Sequence, residues 1–174
     1  MRMVGRRQVL GWASAGGLAA LTGCGFSPVY QSGSGSVAKE LLLEMAKVDI
    51  EVIPDREGQM LRNFLFDRMQ PRGQAKKLLY SLKTRVNVTT RDLGVQLDET
   101  TARSRVDINA SYTLSGNGIS RTFTSRSASS FSTVDVEYAS LVAEQDAIER
   151  SLRTIADEMT VRVAAVLKAH LLTL

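Results

Sequence analysis

The stretch VDINASYTLSGNGISRTFTSRS, residues Val106–Ser127, holds two alternating runs on either side of a short break. Val106, Ile108, Ala110, Tyr112 and Leu114 alternate with polar residues, the period-two pattern of a strand with one buried face. Asn117-Gly118 is the strongest short-range hairpin signal, because both central positions of the tight turn need positive φ. A two-residue turn there pairs residues whose numbers sum to 235. Tyr112 then meets Phe123 across the core face. The reverse face carries Thr113 opposite Thr122, Ser111 opposite Thr124 and Asn109 opposite Arg126. That face is hydroxylated, and it suits water or a hydrated partner surface.

The same period extends to earlier parts of the chain. Leu78, Tyr80, Leu82, Thr84, Val86 and Val88 share one face of a long strand, and Ala46, Val48, Ile50 and Val52 one face of another. Between them the period changes to that of a helix. Pro54-Asp55 starts it, proline fitting the first turn and aspartate complementing the dipole. Leu61, Phe64, Leu65 and Met69 form its apolar stripe, and Gln70-Pro71-Arg72-Gly73 ends it. From about Glu137 to Leu172, Leu141, Ile148, Leu152, Ile155, Met159, Val163 and Val166 keep helical spacing. That helix would span about 50 Å. Its stripe is read as the cover of a sheet face, with a coiled coil as the other possibility. The expected fold is therefore α+β: a four-stranded sheet with two helices packed on one face, in the order β-α-β-β-β-α.

The amino-terminal region has a different character. Arg2, Arg6 and Arg7 precede an uncharged run, Val9–Gly23, too short for a bilayer crossing, which needs about 20 residues. A basic start, a short apolar run and small residues before a break describe a secretory signal. The break, Leu21-Thr22-Gly23-Cys24, has the form of a bacterial lipobox. Cys24, the one cysteine, is expected to carry the lipid anchor; a lone thiol suits an exported protein poorly. Two or three acyl chains hold a protein stably where one does not. Gly25 after the cysteine, by its resemblance to lipoprotein sorting signals, favours the outer membrane over the inner one. Arg6-Arg7 leaves export by the twin-arginine or the general route open. The expected organisation is a cleaved signal at 1–23, a lipidated start and Gly/Ser-rich tether at 24–40, and a single domain at 41–174.

Charge changes meaning once the signal is set aside. The chain has 22 Lys+Arg and 18 Asp+Glu; without Arg2, Arg6 and Arg7 the basic count is 19 against 18. Nucleic-acid binding loses its electrostatic argument. The sequence holds no catalytic constellation, metal-ligand spacing or cofactor motif. His170, the only histidine, is read as a helix-end charge. It has no second histidine or free thiol to complete a site. Asp135 and Glu137 are read as helix-start charges. SGNGIS, Ser115–Ser120, is a hairpin and not a phosphate loop, because its glycines open no helix.

Two polar features remain. Ser125–Ser132 is read as a polar strand end beyond the reach of the core, with contact to a sugar-rich ligand as the other reading. Arginines gather near the strand ends, at Arg85, Arg91, Arg103, Arg105, Arg121 and Arg126. Their forks suit phosphate and carboxylate, although a solvated mixed-charge surface also accounts for them.

Several stretches together resemble a known family. CGFSPVY after the lipobox resembles the mature start of the LPS-assembly lipoprotein LptE (RlpB) family. LRNFLFDRM in the first helix, TTARSRVDINASYTL and AEQDAIERSLRTIADEMTVRV are similar to it as well. The resemblance implies a non-enzymatic protein without cofactor, anchored in the outer membrane on its periplasmic side. It further implies a plug that helps assemble the LptD β-barrel and meets lipopolysaccharide there. Lipopolysaccharide contact through Arg91, Arg103 or Arg105 is the expectation that follows. The alternative is a periplasm-facing lipoprotein adaptor of another envelope transport system. A cell-envelope hydrolase is a third reading, and it lacks a catalytic constellation.

Overall fold

The computed structural model describes residues 36–95, 102–133 and 137–173. Cys24, the expected signal at 1–23, the first part of the expected tether and Asp135 lie outside the described residues. The elements run α1 (Ser36–Met45), β1 (Val48–Ile50), α2 (Asp55–Met69), β2 (Tyr80–Val95), β3 (Ala102–Gly116), β4 (Ile119–Thr133) and α3 (Glu137–Leu171). The four strands lie in the order β1-β2-β3-β4. β1 pairs parallel with β2, as a strand-helix-strand crossover requires, and the remaining pairs are antiparallel.

The hairpin is as the sequence predicts. Tyr112 pairs with Phe123, Thr113 with Thr122, Ser111 with Thr124 and Asn109 with Arg126. Asn117 and Gly118 both have positive φ, 46° and 80°, which suits a two-residue turn. Gly116 has φ 125°, and a Cβ there would sit 2.2 Å from the Leu79 carbonyl oxygen. Only glycine fits this approach of β3 to the start of β2.

The core lies between the sheet and its helices. Val106, Ile108, Ala110, Tyr112 and Leu114 are buried, as are Tyr80 and Leu82 on β2. From the helices come Leu61, Leu65 and Met69 of α2 and Leu152, Ile155, Met159 and Val163 of α3. Gly58 lets α2 come close to Ile53, where a Cβ would meet the Ile53 side chain at 2.7 Å. Arg62 Nε donates to the Ile50 carbonyl at 3.0 Å, and Gln70 Nε2 to that of Val48 at 2.6 Å, tying α2 to β1. The Arg153 guanidinium of α3 lies 4.8 Å from the Phe64 ring centroid of α2, and Arg68 pairs with Asp157 between the same helices.

Four features differ from the sequence expectation. Leu78, expected on the buried face of the long strand, lies before β2 and is exposed, because the strand ladder starts at Tyr80. A further helix, α1, begins at Ser36, inside the stretch read as tether; Leu41 and Met45, four apart, bury its inner side. The first strand is only three residues long, because the chain turns toward α2 after Ile50, leaving Val52 exposed and burying Ile53. Leu141 is exposed although it belongs to the helical stripe. The first turns of α3 hold no buried residue before Ala147.

Candidate functional site

The sheet face turned away from the helices carries hydroxyl, amide and guanidinium groups. Alternation along β2, β3 and β4 sends every second residue to this side. The register then assembles rungs across the three strands. Lys83 is paired with Thr113, and Thr113 with Thr122; Arg85 with Ser111, and Ser111 with Thr124. Asn87, Asn109 and Arg126 form the next rung, and Thr89, Asp107 and Ala128 the one after. Arg91 is paired with Arg105, and Arg105 with Ser130. Thr113 and Thr122 join their hydroxyls at 2.9 Å.

A hollow of about 640 Å³ opens on this face, lined among others by Arg91, Leu93, Arg105, Asp107, Asn109 and Arg126. Asp107 is the one carboxylate among its lining residues, and it accepts from Arg105 Nε at 2.9 Å. Three guanidinium groups therefore face one carboxylate. Such an excess favours an anion, and guanidinium forks fit phosphate or carboxylate oxygens in pairs.

Two of the three expected ligand residues, Arg91 and Arg105, come together as direct cross-strand partners. Arg103 is exposed one rung further on, opposite Ser132, and does not line the hollow. Arg126 lines it although it stood outside the expected set. Carrying the hairpin register through Asn109 to Asn87 would have found it, since that rung lies close to the arginine pair.

His170 sits in the last turn of α3, with Nε2 3.3 Å from Asn117 Nδ2. Asn117 also donates to the Tyr80 hydroxyl at 3.4 Å, and Tyr80 donates to Glu44 at 3.2 Å. Glu44 pairs in turn with Lys47. This chain of polar groups joins the hairpin turn to α1, β2 and α3. Burial raises the Tyr80 phenol above its ordinary value, against the opposing hydrogen bond from Asn117. Burial likewise raises Tyr112, whose hydroxyl lies 3.2 Å from that of Ser125. Among the described residues no group of acidic, histidine or cysteine side chains is placed to hold a metal, and no helix is long and apolar enough to cross a membrane.

A family model described as LptE: Lipopolysaccharide-assembly matches residues 45–163, more than half of the chain. No curated protein matches the sequence. A protein of Caulobacter crescentus, described as a lipoprotein, has a solved structure that superposes with TM-score 0.56 at 19% identity. The match covers 74% of this chain and 96% of that one. The rare lipoprotein B of Shewanella oneidensis superposes with TM-score 0.55 at 9% identity, over 71% of this chain and 97% of its own. At these identities the two structures speak to the fold.

Proposed function

The chain belongs to the LptE lipopolysaccharide-assembly family, and on that premise we propose that it is an outer-membrane lipoprotein that plugs an LptD-type β-barrel and contacts lipopolysaccharide there. The observation that carries this reading is the outward sheet face. It is long, hydroxylated and basic, with Arg91, Arg105 and Arg126 around one hollow. The lumen of a large barrel is polar and wet, so a plug meets it with a surface of this kind. The phosphates of lipopolysaccharide match the excess of guanidinium groups. The role is one of assembly and binding, not of catalysis.

Anchoring is proposed through lipid on Cys24, on the periplasmic side of the outer membrane. Cys24→Ser should release the protein from the membrane fraction, and mass spectrometry of the purified chain should find acyl groups on the wild type alone.

The decisive experiment is affinity purification from detergent-solubilised outer membranes of the native host, with a tag after Leu174. A stoichiometric large β-barrel is the expected result. Recovery of the protein alone, or with inner-membrane transport subunits, would overturn the plug reading in favour of an adaptor. For the ligand, replacing Arg91, Arg103 and Arg105 together by Ser should abolish crosslinking to lipopolysaccharide while leaving the thermal midpoint unchanged. Undiminished crosslinking would remove these residues from the site.

A further inference from the structure

The two edges of the sheet are managed differently. β1, at one edge, is three residues long, and a short edge offers little to another chain. β4, at the other, runs fifteen residues from Ile119 to Thr133 without proline, lysine or any acidic residue. Its charged residues are Arg121 and Arg126. Among the described residues, no backbone hydrogen bond outside the sheet ladder involves β4. The pair that closes a two-residue hairpin, here Gly116 and Ile119, exchanges hydrogen bonds across the ladder. By alternation, Ser120, Thr122, Thr124 and Arg126 direct their amide and carbonyl groups outward.

Beside this edge runs a groove of about 740 Å³ between β4 and the last turns of α3. Ile119, Phe123, Ala165, Val166 and Ala169 supply its apolar walls, and Arg121 and His170 also line it. The small side chains of Ala165 and Ala169 leave the space open. No carboxylate is among the lining residues. An edge strand beside a groove is the geometry that accepts an added strand: the backbone supplies hydrogen bonds, and alternate side chains enter the groove.

We propose that β4 is a docking edge for an extended peptide strand of a partner protein, apolar on the side facing the groove and acidic on the other. Charge decides the acidic half. The outward face beside the edge carries Arg126, with Arg105 on β3 and Arg91 on β2 behind it and Asp107 the one carboxylate in their hollow. A second copy pairing antiparallel through β4 would bring another Arg126 to the same face with no acid to meet it, a cost that opposes self-association. The proposal is independent of which barrel or adaptor the protein serves.

The test uses the full chain in detergent micelles and a synthetic heptapeptide of alternating valine and glutamate, capped at both ends and labelled for fluorescence anisotropy. Saturable binding is expected, with amide exchange of Ser120, Thr122, Thr124 and Arg126 slowed by the peptide and that of Ile119, Phe123 and Ser125 unchanged. Thr124→Pro removes one outward N–H without touching the ladder to β3, and should weaken binding about tenfold. Ala169→Trp fills the groove from an exposed position and should do the same, which covers the case in which the proline variant fails to fold. Absence of binding, equal binding of a valine–lysine peptide, or exchange protection without the every-second-residue pattern would overturn the proposal. A concentration-dependent dimer in sedimentation, abolished by Thr124→Pro, would overturn it in favour of a second copy.

Discussion

The two ends of the sheet are built to different standards. At the turn end, Gly116 packs against the start of β2, and Lys47, Glu44, Tyr80, Asn117 and His170 join the hairpin turn to three elements through polar contacts. At the other end, Leu93, Tyr138, Leu141 and Val142 are exposed, and a hydrogen bond of 2.8 Å between Thr90 and Glu144 ties β2 to α3. Arg91, Arg103 and Arg105 also belong to this end. Burial and mutual satisfaction of polar groups stabilise the first end; the second leaves apolar and cationic groups available. The constrained turn and the arginine cluster thus lie at opposite ends of the strands, with the groove beside β4 at the turn end.

Substitutions can break or sharpen this contrast. The largest effect is expected from Gly116→Ala, which combines a positive φ with a Cβ at 2.2 Å from a backbone oxygen. A loss of about 4 kcal/mol or more in denaturant unfolding would place the turn end among the most constrained parts of the molecule. Next comes a matched pair of leucines on one strand. Leu82→Ala, at a fully buried position, should cost about 3 kcal/mol, whereas Leu93→Ala, 54% exposed, should stay within about 0.5 kcal/mol. Equal losses would show that the two ends are alike.

A smaller effect concerns pH. Burial raises the phenols of Tyr80 and Tyr112 in the folded protein, so the unfolded chain gives up those protons first. The stability they contribute is complete below the ordinary phenol value of 10.0 and is lost as pH rises through the folded values. Urea unfolding followed from about pH 9 to about pH 11 should show this decline, and Tyr112→Phe should flatten it. The smallest expected change is a gain. Thr84 is buried on the core face with a hydroxyl that has no hydrogen-bond partner among the described residues. Thr84→Val should stabilise by about 1 kcal/mol in the same assay, since an unpaired buried hydroxyl loses its hydration without return.

Much of the fold was legible from side-chain period alone. The hairpin register, the inward row Val106 to Leu114 and the stripe of α2 need only local rules, because a strand alternates by two and a helix by about 3.6. α1 was harder to read: its glycine- and serine-rich approach suggests a linker, while its inner side is defined only by the partners that Leu41 and Met45 find. Val52 follows the alternation of β1 and is nevertheless exposed, since periodicity does not state where a strand stops. For the site, arginine content was visible and Arg91 and Arg105 were among the expected residues. Arg126 belongs with them through a register that crosses three strands.

The sequence by itself determined which side of β2, β3 and α2 is apolar, where the hairpin turns and that the arginines lie near strand ends. These properties follow from neighbours a few residues apart. Tertiary structure decided that Arg91 faces Arg105, that Arg126 joins their hollow, that the ends of the sheet differ and that β4 forms an edge beside a groove. Each of these depends on groups brought together from distant parts of the chain, whose pairing is set by packing and strand order rather than by local period.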